Sequence, residues 1–175
     1  LLPRLGATLC LISVSMLSIA VPGTAMAADY PMDASDAAIE DAVDYLLGEQ
    51  GSDGSIGSFA ISAWALMGLA AAGEDEAVAE VFIYLEDEAD TGDFEATDWA
   101  RMILAIVAAG EDPTACGGEA YVQGLLDTCE TETDTGEDYL QIGDPDLLND
   151  DFWGVIALAA ADESVEDDII SFILA

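Results

Sequence analysis

The chain has 175 residues, long enough for one domain with a packed core. It carries 37 acids against two bases and no histidine, a formal net charge of −35, so nothing in it could neutralise a nucleic-acid backbone. Hydrophobic residues make up 53% of it, which excludes a disordered acidic chain.

Residues 1–27 hold no acid and a single base, Arg4. An apolar run from Leu9 to Val21 leads to Ala25-Met26-Ala27, the layout of a secretory signal peptide cut after Ala27. The run is shorter than the roughly 20 residues a membrane span needs. The expected localisation is secreted or cell-surface. Beyond residue 27, 37 acids face one base, Arg101, a net charge of −36. Such a charge repels itself out of a compact state unless salt screens it, which predicts a halophilic, archaeal protein. Residues 28–34 read as a linker and 35–175 as the folded domain. Leu1 at the start, and the uncapped apolar pattern of Ile169 to Ala175 at the end, read as the limits of a truncated chain.

Helical patterns with clear punctuation follow. The first is predicted over Asp36–Leu47, capped by Ser35 and stopped by Gly48, with Ile39, Val43, Leu46 and Leu47 at helical spacing. A loop with four glycines, Gly48 to Gly57, precedes a second helix over Ser58–Ala72. The second helix is apolar nearly all round, which predicts burial on every side. The third, Glu76–Glu86, is amphipathic, and the acidic loop Asp87–Glu95 follows it. The fourth, Ala96–Ala109, is again apolar and is capped by Thr97 or Asp98. The fifth, Gly118–Asp127, is amphipathic. A long acidic loop is expected from Thr128 to Pro145, then a sixth, apolar helix over Leu148–Ala161. A seventh starts near Ser164, with Asp167 completing a near-capping box.

One phrase recurs. Leu69-Ala70-Ala71-Ala72-Gly73-Glu74-Asp75 and Ile106-Val107-Ala108-Ala109-Gly110-Glu111-Asp112 match in register, and Leu158-Ala159-Ala160-Ala161-Asp162-Glu163 is a worn third copy. The first two copies stand 37 residues apart, and self-similarity at such a period marks an array of helical hairpins. Amphipathic helices alternate with wholly apolar ones, the pattern of an outer ring around an inner one. The expected fold is therefore all-α, an α/α-toroid-like array of about three and a half hairpins, closed or strongly curved. With the loop Gly48-Glu49-Gln50-Gly51-Ser52-Asp53-Gly54-Ser55-Ile56-Gly57, these helix ends resemble the prenyltransferase and squalene oxidase repeat of terpenoid cyclases and protein prenyltransferases. Gln50, Asp53, Gly54 and Gly57 fit its turn in degenerate form. The aromatic residue expected near Gly57 is displaced to Phe59.

That resemblance implies chemistry the residues do not support. Prenyltransferases of this family hold zinc with Asp, Cys and His, and this chain has no His. The cyclase motif Asp-x-Asp-Asp is met only by Asp144-Pro145-Asp146-Leu147, which lacks the final acid. Cys116 and Cys129 flank a predicted helix and so stand about 20 Å apart, too far to bridge. No catalytic residue, metal or cofactor is assigned. Calcium in the acidic loops Asp87–Glu95 and Glu130–Asp138 is a minor alternative, because Gly136 falls one residue late for a calcium loop. Asp98, Asp150 and Asp151 stand at inner-helix starts, where capping is the ordinary role. The candidate ligand-lining residues are Trp64, Trp99, Trp153, Asp98, Arg101 and Asp151. Aligned on the helix ends, Trp64 and Trp153 match Arg101, and Trp99 lies two positions earlier. Arg101 is expected to pair with Asp98, three positions before it. The leading expectation is a secreted, non-catalytic binding or interaction module for a small ligand or a cell-surface partner. The alternatives are a toroid-class enzyme, terpene cyclase-like or polysaccharide-active and using those acids, and a structural cell-envelope domain. Exposed inner helices would leave self-association open.

Overall fold

The computed structural model describes residues 33–132 and 139–174. The signal-peptide assignment at 1–27 and the acidic stretch 133–138, with the glycine of the calcium alternative, lie outside them. The described chain is all-α apart from one hairpin: α1 (Ala37–Glu49), α2 (Phe59–Ala72), α3 (Asp75–Glu88), α4 (Ala96–Ala108), α5 (Tyr121–Leu126), β1 (Cys129–Glu132), β2 (Tyr139–Ile142), α6 (Leu148–Ala160) and α7 (Asp167–Leu174).

The recurring phrase is a helix-termination device. Gly73 and Gly110 adopt φ of 84° and 83°, and Asp162 takes the same left-handed region at 59°. In each copy the following amide reaches back to the carbonyl five residues earlier: Glu74 to Leu69 at 3.0 Å, Glu111 to Ile106 at 3.0 Å, Glu163 to Leu158 at 2.9 Å. This is the long bond of the Schellman motif, which satisfies carbonyls the helix end leaves open. Asp162 substitutes for glycine at some backbone cost, since a β-carbon is crowded in that region.

Helices α2, α4 and α6 lie side by side with α4 in the middle. α1 and α3 pack on α2, α5 on α4, and α7 on both α6 and β2. The core between them is built from Leu66, Val81, Leu85, Ile103, Ile106 and Leu158, all fully or almost fully buried. At roughly 1.5–3 kcal/mol per large apolar side chain removed from water, this interior holds the layers together.

Several expectations need correction. Gly48 does not stop the first helix, which runs on to Glu49, and the Ser35 hydroxyl donates to Asp33 instead of capping it. The fifth helix is only six residues long. Gly117 and Gly118, at φ of 59° and 88°, turn the chain back through a bridge between Cys116 and Glu119 before the helix can begin. The acidic loop after it contains an antiparallel hairpin, pairing Cys129 with Ile142 and Glu130 with Gln141. The seventh helix starts at Asp167, later than the Ser164 signal.

The largest departure concerns the all-apolar helices, which are not buried on every side. Ile61 and Trp64 of α2 are 54% and 41% exposed, and Phe152 and Ile156 of α6 are 46% and 49% exposed. One face of each helix stands open.

Candidate ligand-binding site

Trp64, Arg101 and Trp153, the three residues in equivalent repeat positions, meet on that open face. The two indoles lie edge to face, 4.9 Å between ring centroids at 62°. With Arg101, Thr97 and Asn149 they line a pocket of about 110 Å³. Their meeting joins α2 and α6 across α4 on this face.

Arg101 donates from Nη1 to Asp98 Oδ1 at 2.7 Å, as the i, i+3 spacing predicts. Its Nε is buried and has no partner among the described residues. Asp98 also accepts at Oδ2 from the Glu95 amide at 3.2 Å, so it closes the start of α4 and holds the guanidinium at once. Neither Thr97 nor Asn149 was anticipated. Each sits one helical turn before its repeat residue, Thr97 before Arg101 and Asn149 before Trp153, and that i, i+4 spacing is the signal that finds them.

Trp99 does not line this pocket. Two residues from Arg101 is about 200° around a helix, so Trp99 faces the opposite side. It packs edge-on against Phe94 at 5.1 Å and Tyr121 of α5 at 5.8 Å. Gly124 makes room for the ring, since a β-carbon there would lie 2.5 Å from it.

Asp151 does not line the pocket either. It shares the repeat position of Ser62 and Trp99, and it is 1% exposed. Ser62 and Asp151 do parallel work. The Ser62 hydroxyl accepts from the Ile56 amide at 2.9 Å and donates to the Ile56 carbonyl at 3.1 Å, and Asp151 Oδ1 accepts from the Ile142 amide at 2.9 Å. Each pins the segment before its own helix. Asp150 Oδ2 likewise accepts from the Asp144 amide at 3.1 Å. The acids at inner-helix starts therefore serve backbone donors.

Asp151 Oδ2 is buried with no partner among the described residues, and the one base described, Arg101, is held by Asp98. Burial raises the Asp151 pKa above the ordinary carboxylate value, the Ile142 amide opposes that shift, and the Asp150 charge adds to it. A raised folded-state pKa means the folded protein holds this proton more tightly than the unfolded chain does. The associated stability is fully present below the unfolded value of about 3.9 and is lost as pH rises through the folded one. Asp151→Asn keeps an acceptor for Ile142 without a buried charge. It is expected to match or exceed the wild type in urea unfolding at neutral pH and to lose the difference in acid. Asp151→Ala orphans a buried amide and is expected to cost about 1–3 kcal/mol. Equal destabilisation by both substitutions would refute this account.

Burial and the Glu86 carboxylate push the Cys116 thiol up to about 11, with its Sγ 3.6 Å from Glu86 Oε1. Burial also raises Cys129, and both cysteines are free. Thiols so disposed are poor metal ligands, and among the described residues no cluster of acids and cysteines is placed to hold a metal. No described helix is long and apolar enough to cross a membrane. No protein-family model, no curated protein and no solved structure matches this chain.

Proposed function

We propose that this chain is a non-catalytic binding module of a secreted or cell-surface protein, built as a curved, α/α-toroid-like array related to the prenyltransferase and squalene oxidase repeat. The observation that carries this reading is the open apolar face of α2 and α6, with Trp64 and Trp153 in contact beside Arg101. Contiguous exposed apolar surface rimmed by polar groups marks a place where something binds. A hydrolytic reading needs two carboxylates free to face a substrate, whereas Asp98, Asp150 and Asp151 are each engaged by backbone amides. The leading sequence and the acidity of the chain support the secreted, halophilic setting.

The test uses the neutral apolar dye Nile red, in molar salt. The wild type is expected to enhance its emission in the native state. Trp64→Ser with Ile156→Ser is expected to abolish the enhancement while leaving the helical circular dichroism unchanged. No enhancement by a wild type that sediments as a monomer would overturn the reading. No enhancement by a dimer would mean that a second copy covers the face and would move the proposal to self-assembly.

A further inference from the structure

The pocket beside the tryptophans is small and rich in donors, and both properties bear on its occupant. Pockets for drug-sized ligands run to roughly 300–1,000 Å³. This one, at about 110 Å³, has room for one ring or for the end of a longer molecule. Its apolar wall is a corner made by two indoles at 62°. Its polar wall is Thr97, Asn149 and Arg101. Arg101 Nε is buried without a partner, and no hydrogen bond engages the side chains of Thr97 or Asn149 among the described residues.

A purely apolar ligand, such as a terpenoid, would strip water from Thr97 and Asn149 and return nothing for it, which penalises binding. An anionic ligand fits little better. The Arg101 charge is already matched by Asp98 at 2.7 Å, and the chain around it carries a net charge of −35. What remains is a neutral ring with an apolar face and a hydroxylated edge. Resting on the binding reading above, we infer that the corner between Trp64 and Trp153 binds one neutral sugar ring of a larger glycan. The indoles take the C–H face of the ring. Asn149 and Thr97 take its hydroxyls, beside the guanidinium of Arg101. Asp98 fixes the guanidinium in place, so little side-chain freedom is lost on binding.

The experiment is a titration of intrinsic tryptophan emission in molar salt, with three classes of probe: the neutral trisaccharides chitotriose, cellotriose and mannotriose; a glucuronic-acid trisaccharide; and farnesol. At least one neutral trisaccharide is expected to shift the emission with a Kd of about 1 mM or tighter. Asn149→Ala, at an exposed position, is expected to weaken that binding about tenfold and to leave the helical circular dichroism and the urea midpoint unchanged. Saturable binding of farnesol with no response to any neutral sugar would overturn the sugar assignment and leave the binding reading standing. Preference for the glucuronic-acid probe would overturn neutrality. Silence from every probe, together with no Nile red enhancement, would overturn both.

Discussion

In dilute buffer the chain is expected to lose most of its helical circular dichroism, and to regain it as salt approaches the molar range, with a midpoint near about 0.5 M. The argument is electrostatic. Acids crowd the exposed surfaces of α1 and α3, and Arg101–Asp98 is the one ion pair among the described residues. Among the described residues the remaining acids have no cation to meet. At about 0.01 M salt the screening length is roughly 30 Å, longer than the spacing between helices, and at 1 M it falls to about 3 Å. Repulsion summed over the surface then opposes a net folding free energy of only about 5–15 kcal/mol. Loss should begin at α1, which has no buried residue and packs chiefly on α2. Hydrogen exchange should therefore find α1 open at salt concentrations where α4, whose Met102, Ile103 and Ile106 are fully buried, is still protected. A cooperative urea transition with the same midpoint in dilute and molar salt would refute the prediction.

The helix ends were legible in the sequence because the phrase that recurs there encodes a backbone conformation. Gly73 and Gly110 sit where only a residue tolerant of positive φ fits, so the pattern marks the boundary almost to the residue. Gly48 misleads for the opposite reason. A glycine inside a helix is only mildly unfavourable, and α1 continues through it. The hairpin was hidden by composition. The acids from Glu130 to Asp138 read as a solvated loop, and they mask the weak alternation of Cys129-Glu130-Thr131-Glu132. What docks the hairpin is Ile142, fully buried, with its amide on Asp151. That long-range contact has no local sequence signature.

The open face illustrates a limit of another kind. Apolarity around the whole of α2 and α6 states that no side prefers water, and it is silent on whether the protein itself covers that side. The repeat register carried more information about the site than residue type did. Of the three tryptophans, the two in register with Arg101 meet on the open face, and the third, two positions out of step, joins the aromatic row Phe94–Trp99–Tyr121. Angular position on the helix decides between these fates.

Among single substitutions, Gly54→Ala is expected to be one of the most damaging. Gly54 lies in the loop that joins α1 to α2, and its φ is 88°. A β-carbon there would run into the backbone carbonyl of Glu80 on α3 and would also lie 3.3 Å from Tyr84 Cβ. The obstruction is main chain within a helix, so no rotamer change relieves it. The loop cannot yield easily either. The Gly54 amide donates to the Gly51 carbonyl at 3.0 Å, and the Gly51 amide to the Ser55 carbonyl at 2.7 Å. Asp53 Oδ1 accepts from both the Ser55 hydroxyl, at 2.7 Å, and the Ser55 amide, at 3.1 Å. Just beyond, Ile56 is clamped to Ser62. The left-handed backbone costs about 1–2 kcal/mol for a residue with a β-carbon, and overpacking against α3 adds about 1–3 kcal/mol. A loss of roughly 2–5 kcal/mol is therefore expected in urea unfolding at fixed high salt. Gly73→Ala has the same backbone sign but open space around it, so it should lose only the about 1–2 kcal/mol backbone part. The difference between the two variants isolates the contact between the loop and α3. Equal losses would mean that the loop does not seat on that helix, and the packing of α3 against the segment that introduces α2 would have to be redrawn.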